Sequence, residues 1–243
     1  EKGTLSVNTE NLMPIIKKWL YSDKDIFLRE LVSNACDAIS KLDKLASMGE
    51  AAMPESSRVE IRANKSENTL TVSDNGLGMT ADEVRKYINQ VAFSGAYDFL
   101  EKYENQADGK DIIGHFGLGF YSAFMVAEKV VIQTKSYQPG AEAVRWESDG
   151  SSEYELSSGS RIQPGTDIIL YIDEDSREFL EEPRLRSVLT KYCSFLPRPV
   201  FLCGEKEEQI NDCSPLWLKK PADCTEQEYK DFYAKVFADF SEP

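Results

Sequence analysis

One stretch of the chain, RELVSNACDAISKL at residues 29–42, carries four hydrophilic side chains in a regular spacing. Glu30, Asn34, Asp37 and Lys41 stand at i, i+4, i+7 and i+11, so a helix would place them in one line. The line runs along the margin of a broad apolar face of the same helix. Taken alone it favours the solvent side of a surface helix, and the alternative is the wall of a polar site.

A second candidate is Asp74, which ends an alternating stretch and is followed by Gly76 and Gly78 in DNGLGM. A carboxylate there can accept a hydrogen bond from an exocyclic amine such as that of adenine, and the alternative is an Asp-Asn-Gly turn without a ligand. GLGMTA also fits the relaxed dinucleotide pattern, but the parallel strand and acid that this fold needs about 20 residues later are missing. No Walker-type phosphate loop occurs in the sequence.

A third candidate is the loop GHFGLGF, in which Gly114, Gly117 and Gly119 precede a helical stretch. Backbone N–H groups of such a loop and the positive end of a helix together suit polyphosphate, and the alternative is a flexible hinge. His115 lies in this loop and is interpreted as a solvated or packing side chain, because no Ser or Cys nucleophile is paired with it.

The elements that must position these residues follow from the periodicity of the chain. Helices are predicted at 9–20, 23–47, 80–90 and 121–127, and one opens at Pro183. Strands are predicted on both sides of a turn in 58–74, then around 129–135, 143–147, 153–157 and 166–173, with a last strand at 198–204. This order predicts an α+β fold, a two-layer α/β sandwich whose mainly antiparallel sheet is covered by helices on one face.

The chain is predicted to hold one domain over residues 1–212, which ends in a short charged linker at 204–212. Residues 213–243 have their own aromatic content and a helix start in which Thr225 caps with Glu228. We expect them to be the cut-off opening of a second domain.

Composition excludes several classes of protein. The formal net charge is −14, with 42 acidic and 28 basic residues, which argues against nucleic acid as the main partner but not against a small phosphorylated ligand. Five widely spaced cysteines and one histidine indicate neither a disulfide framework nor a zinc site, and hence a reducing, intracellular compartment. No apolar run is long enough to span a membrane.

Taken in order, the motifs E-x-x-x-N-x-x-D-A, D-x-G-x-G, G-x-x-G-x-G-F and a Gly-Thr in a strand resemble the Bergerat or GHKL nucleotide-binding fold. LYSDKDIFLRELVSNACDA, GMT, IIGHFGLGFYSAFMVA and RWES are similar to the heat shock protein 90 family, over essentially the whole chain. The short linker points to the bacterial type of that family. The tail after residue 213 is similar to the start of the family's middle domain.

The resemblance implies a role for each matching residue. Glu30 matches the general base for the attacking water, and Asn34 matches the ligand of Mg²⁺. Asp74 would bind the adenine amino group, assisted by Thr166 and a water. The other residues expected to bind nucleotide are Gly78 and Met79 beside the base, Gly114, Gly117, Gly119 and Phe120 at the phosphates, and Asp37 in the adenine-side network. Residues 85–119 match the lid that closes over ATP, and Lys41 is left as the solvated end of the line.

These expectations add up to the nucleotide-binding domain of an ATP-dependent chaperone, with ATP or ADP and Mg²⁺ as cofactors. Its partners would be unfolded or partly folded client proteins, with no nucleic acid and no membrane, and ATP-site inhibitors of the family are expected to bind. The full-length protein would be a cytoplasmic, bacterial homodimer, whereas this fragment would be monomeric. Its hydrolysis of ATP would be very slow, because the cation that completes the γ-phosphate site lies beyond residue 243.

The sequence departs from the family pattern at two positions, and three other functions are its alternatives. Phe93 stands where the family often has a lysine, and Tyr87 where many members have an asparagine, so individual lid contacts differ. A histidine kinase would need a phospho-acceptor histidine outside the glycine loop, and the only histidine is His115. A DNA-acting relative is opposed by the charge, and a binding module without hydrolysis is opposed by Glu30.

Overall fold

A computed structural model describes residues 23–52, 54–89 and 118–237 of the chain. The predicted helix at 9–20, most of the predicted lid, and Phe93, Gly114, His115 and Gly117 lie outside the described residues. The α-helices are α1 (Ile26–Ser47), α2 (Ala81–Tyr87), α3 (Glu182–Cys193) and α4 (Glu226–Phe237). Short 3₁₀ helices cover Gly119–Met125, Glu174–Leu180, Leu216–Leu218 and Pro221–Asp223.

Eight strands form one sheet in the order β5-β4-β3-β6-β2-β1-β7-β8. Their bounds are β1 Val59–Asn64, β2 Thr69–Asp74, β3 Ala127–Lys135, β4 Val144–Ser148, β5 Glu155–Ser158, β6 Gly165–Ile172, β7 Val200–Cys203 and β8 Glu207–Gln209. The pair β1–β7 is parallel and the other neighbours are antiparallel. The predicted α+β class with a mainly antiparallel sheet is therefore confirmed.

Helix α1 packs against β1 and β2 because its apolar positions recur every three or four residues. Its fully buried side chains include Phe27, Leu31, Cys36 and Ile39. Phe27 meets Phe179 edge to face, with ring centroids 5.0 Å apart. The helix is thus fixed by its apolar face, which leaves the polar line at the edge of the core.

Local sequence signals set several helix ends. Thr80 caps α2, with the Glu83 N–H donating to its hydroxyl at 3.3 Å and the Glu83 carboxylate accepting from the Thr80 N–H at 2.7 Å. The predicted pair at the start of α4 is confirmed, since the Thr225 N–H donates to Glu228 at 2.8 Å. Among the described residues no helix is both long and apolar enough to cross a membrane.

Two predicted elements differ from the structure. The helix predicted at 121–127 is a 3₁₀ helix over Gly119–Met125, a form common in short runs, in which the Ser122 hydroxyl donates to the Gly119 carbonyl at 2.5 Å. The strand at 198–204 is not the last one, because β8 lies inside the predicted linker and pairs with β7. Asn211 fastens this segment by accepting from the Val200 N–H at 2.8 Å and donating to the Leu196 carbonyl at 2.8 Å.

Candidate nucleotide-binding site

The loop after β2 packs against the polar edge of α1. A Cβ at Gly76 would lie 2.5 Å from the backbone carbon of Ala38, so only glycine permits this approach. The Leu77 N–H also donates to the Ala38 carbonyl at 3.2 Å. Ala38 follows Asp37 in the polar line, so the first glycine loop and the line on α1 lie together.

Asp74 ends β2 opposite Thr166 of β6 in the antiparallel register. Both side chains are 7% exposed, and one Asp74 carboxylate oxygen accepts from the Gly76 N–H at 2.8 Å. Burial raises the pKa of the Asp74 carboxyl to about 7, although hydrogen bonds from the backbone of Gly76 and Thr166 and the charge of Arg161 lower it. The site therefore holds a buried carboxyl group whose charge depends on its neighbours.

Thr134 on β3 connects two of the predicted site residues, Thr166 and Met79, and sequence reasoning missed it. Its hydroxyl lies 3.0 Å from that of Thr166 and 3.1 Å from the Gly165 carbonyl. The same oxygen accepts from the Met79 N–H at 2.9 Å. Thr134 is fully buried and faces Thr166 in the β3–β6 register, so it fastens the Met79 backbone to the sheet.

Gly78 makes the closest approach of the first glycine loop to the sheet. Its φ is +60°, and a Cβ there would lie 1.8 Å from the Lys135 carbonyl oxygen and 3.1 Å from the Gly165 nitrogen. The next turn is held because the Tyr137 N–H donates to the Leu77 carbonyl at 2.8 Å. Both the conformation and the space at this position require glycine.

Glu30 lies against the second glycine loop. A Cβ at Gly119 would lie 2.5 Å from Oε2 of Glu30, so any side chain at 119 would displace this carboxylate. Oε1 of Glu30 accepts from Nη2 of Arg29 at 2.5 Å and from Nε at 3.2 Å. The Glu30 side chain is 20% exposed, which leaves it reachable from solvent while two neighbours fix its direction.

The rest of the polar line is only partly open to water. Asn34 is half-buried, one turn from Glu30, and Asp37 is 4% exposed. Lys41 is half-buried, and burial lowers its pKa while the charge of Asp37 raises it. The prediction of Lys41 as the solvated end of the line is therefore wrong, because α1 continues into the packed region at that point.

Phe120 follows Gly119 in the chain, and Tyr87 is the last residue of α2. The Phe120 ring is 8% exposed and contacts the rings of Tyr121, Phe124 and Trp146, so its side chain anchors the loop in the core and leaves the backbone for any ligand. Tyr87 is half-buried at the end of α2, with the Lys86 ammonium 5.3 Å from its ring centroid.

Arg161, in the loop before β6, is a second residue that the sequence motifs did not indicate. Its Nη2 donates to the backbone carbonyl of Asp74 at 2.6 Å, and its Nη1 pairs with Asp167. Its side chain is 15% exposed. An arginine at this point brings a positive charge to the end of β2.

The oxygen donors available on α1 fit a magnesium ion. Mg²⁺ in nucleotide sites takes one or two protein oxygens and fills its shell with phosphates and water, and Asn34 offers one carboxamide oxygen beside Glu30. In the part of the chain that the structure describes, no three histidine, cysteine, aspartate or glutamate side chains group as metal ligands.

A separate open cavity of about 420 Å³ lies where α2 begins beside β4 and β5. It is lined by Thr80, Ala81, Asp82, Arg85, Glu142, Ala143, Val144, Leu156, Ser157 and Ser158. It contains none of the predicted site residues and is not the candidate site.

Comparison with known proteins shows to which family the chain is similar. Residues 22–164 match the family described as "Histidine kinase-, DNA gyrase B-, and HSP90-like ATPase", and residues 204–243 match "Hsp90 protein".

The chain is 52% identical over 255 residues to the "Chaperone protein htpG" of Bacteroides fragilis (strain 638R), covering 100% of this chain and 37% of that protein. It is 48% identical over 257 residues to the "Chaperone protein HtpG" of Porphyromonas gingivalis (strain ATCC BAA-308 / W83), with the same coverages. It is 40% identical over 237 residues to the "Heat shock protein 75 kDa, mitochondrial" of Bos taurus, covering 97% of this chain and 33% of that protein. The chain thus spans about a third of the length of these curated relatives.

Proposed function

Because the chain belongs to the family of histidine kinase-, DNA gyrase B- and HSP90-like ATPases, and within it to the HSP90 family of bacterial HtpG type, we propose that it binds ATP and ADP as part of an ATP-dependent chaperone. One observation carries the proposal. Four separate stretches meet at one place: the polar line of α1, the loop after β2, the end of the second glycine loop, and the start of β6. They are joined through Gly76, Gly119 and Thr166.

The adenine end of the ligand is assigned to Asp74. Its carboxylate is buried, and the Gly76 N–H occupies one of its oxygens, so an acceptor remains for the exocyclic amine. Thr166 and a water would complete the recognition, and Thr134 would hold the Thr166 hydroxyl and the Met79 backbone in place. Gly78, Met79 and Asp37 would line this end of the site.

The phosphate end is assigned to Glu30, Asn34 and the second glycine loop. Glu30 would orient the attacking water and accept its proton, and Gly119 sets the direction of its carboxylate by leaving room for it. Asn34 would hold Mg²⁺, which supplies charge neutralisation at the phosphates when bound. The phosphate oxygens would accept hydrogen bonds from the backbone N–H groups of Gly114, Gly117, Gly119 and Phe120.

The biological role follows from the names of the relatives. They are called chaperones or heat shock proteins, so the proposed partners are unfolded or partly folded proteins. For the full-length protein, the resemblance to the family implies a homodimer in the bacterial cytoplasm. Closure over ATP of a lid formed by residues 85–119 would couple nucleotide binding to a change in conformation.

Calorimetric titration of the chain with ADP, with and without Mg²⁺, tests the proposal. We expect saturable binding of one ADP per chain that is tighter with Mg²⁺, together with slower hydrogen exchange at the Gly76 and Met79 amides. The amides of β5, at the far edge of the sheet, serve as the internal control and should not change. Absence of ADP binding, or protection only at β5, would refute the proposed site.

A further inference from the structure

Arg161 links the two strand ends that carry the proposed base-binding residues. Its guanidinium donates to the Asp74 carbonyl at 2.6 Å at the end of β2, and it pairs with Asp167 next to Thr166 on β6. Its Nε donates to the Gln163 carbonyl at 3.2 Å, which folds the preceding loop back on itself. One side chain thus spans the end of the Asp74–Thr166 pair.

Gly165 makes this arrangement possible. Its φ is +124°, and a Cβ there would lie 2.2 Å from the Asp74 carbonyl oxygen and 2.5 Å from Nη2 of Arg161. Any other residue would occupy the place of the guanidinium. The glycine before Thr166 therefore provides space for an arginine as well as a turn.

The charges around Asp74 come from four elements. Arg161 lies beside it as a cation, and Asp167 on β6 lies near it as an anion. At the start of β1, Arg58 and Glu60 flank Val59, the partner of Asp74 in the register, and they pair with each other at 2.5 Å. On α1, Asp37 and Lys41 lie on either side of the Ala38 contact and interact with each other. These other charges are paired with each other. Arg161 and Asp167, which also form an ion pair, act on the Asp74 carboxyl in opposite directions.

We propose that Arg161 is a positioning residue for nucleotide binding, which holds the Asp74 end of β2 against β6 and places a positive charge that favours the ionised form of the Asp74 carboxyl. This inference rests on the proposed function, in which Asp74 accepts a hydrogen bond from the adenine amine. An ionised carboxyl has acceptors only, whereas the protonated form presents a donor and loses affinity for an amine. Arg161 thereby extends to lower pH the range over which the proposed site recognises its ligand.

Four variants of the chain separate a charge effect from a packing effect. Arg161→Met removes the charge, Arg161→Lys retains it, and Asp167→Asn removes the opposing acid. Arg145→Met is the matched control, because Arg145, like Arg161, pairs with an acid of the same sheet. That acid is Glu147. ADP affinity is measured by calorimetry from pH 5.5 to 8.5 and expressed as the ratio of variant to wild type, so that titration of the nucleotide phosphates cancels.

The Arg161→Met ratio should lie near one at pH 8.5 and fall to about one tenth in the acid range, because loss of an adjacent cation raises a carboxyl pKa by about one unit. Arg161→Lys and Arg145→Met should stay near one throughout. Asp167→Asn should shift in the opposite direction, with a ratio above one at low pH. A purely structural role would instead lower the affinity of Arg161→Met and Asp167→Asn by a constant factor at every pH.

The carboxyl ¹³C signal of Asp74 in the ligand-free protein, assigned by its loss in Asp74→Asn, provides a measurement independent of binding. Its titration midpoint should rise in Arg161→Met and fall in Asp167→Asn. A constant Arg161→Met ratio with an unmoved midpoint overturns the proposal for Arg161. If wild type fails to bind ADP at any pH, the proposed function fails, and the titration midpoints still decide whether Arg161 controls the charge of Asp74. If Arg161→Met does not fold, Arg161→Gln, which removes the charge and keeps hydrogen-bond donors, takes its place, and an unmoved Asp74 midpoint in that variant overturns the proposal.

Discussion

Replacement of Asp74 by asparagine should change which base the site accepts. The carboxylate has one oxygen bound to the Gly76 N–H at 2.8 Å. In Asp74→Asn the amide oxygen would take this place, because only the oxygen can accept, and the amide nitrogen would point to the base. A donor would then face the adenine amine, which is also a donor.

The size of the effect follows from the burial of this group. Loss of a hydrogen bond to a charged acceptor costs about 1.5–3 kcal/mol, and a buried donor left without a partner costs about 1–3 kcal/mol. With Asp74 only 7% exposed, little water can compensate. The two contributions come to about 4 kcal/mol, which is a loss of about a thousandfold in ADP affinity.

Inosine diphosphate provides the control, since its base has an oxygen where adenine has the amine. The affinities of wild type and Asp74→Asn for ADP and for inosine diphosphate are compared by calorimetry at pH 8.5, where the carboxyl is ionised. Wild type should prefer ADP, and the variant should lose or reverse this preference. If both nucleotides weaken by the same factor, or if ADP affinity is unchanged, the assignment of Asp74 to the base is wrong.

Three further results are expected. Glu30→Ala should keep ADP affinity within about threefold while hydrolysis by the full-length protein falls by about a hundredfold or more, and normal hydrolysis would reject Glu30 as the base. Gly78→Ala should lower the free energy of unfolding, measured in urea, by about 1–3 kcal/mol more than Gly140→Ala does. Both glycines have positive φ, but only a Cβ at Gly78 would meet the Lys135 carbonyl. Equal losses in the two variants would contradict the clash. The pKa of Asp74 is raised to about 7, above its ordinary value of 3.8, so its contribution to stability is present below pH 4 and is lost as the pH rises through 7. The unfolding free energy of wild type should therefore fall relative to Asp74→Asn between pH 4.5 and 8, and parallel curves would contradict the raised pKa.

Elements with strong local patterns could be predicted from the sequence. The hairpin 58–74 alternates around a polar turn, and its strands appear as Val59–Asn64 and Thr69–Asp74. Strand β8 could not be predicted in this way, because Glu207–Gln209 is three exposed polar residues without β propensity. It forms because β7 offers an open edge and Asn211 holds the following backbone against it.

The supporting residues of the site were missed for a related reason. Thr134 and Arg161 reach it through the register of β3 with β6 and through a loop that returns from β5. A change of register by one residue would turn Thr134 to the other face of the sheet, and no local pattern records that choice. Motif residues could be identified because their order along the chain is itself informative. Their partners depend on tertiary pairing.

The glycines of the motifs gain a physical meaning from these contacts. Gly76 approaches the backbone of Ala38 on α1, and Gly78, two residues later, approaches Lys135 and the start of β6. The D-x-G-x-G spacing therefore allows one close contact on each side of the loop, with α1 at Gly76 and with the sheet at Gly78. These two contacts hold the loop that follows Asp74 in place. Because both contacts are made by backbone, ligand binding cannot loosen the loop without separating α1 from the sheet. The proposed adenine end of the site is therefore held by backbone contacts on both sides of the loop.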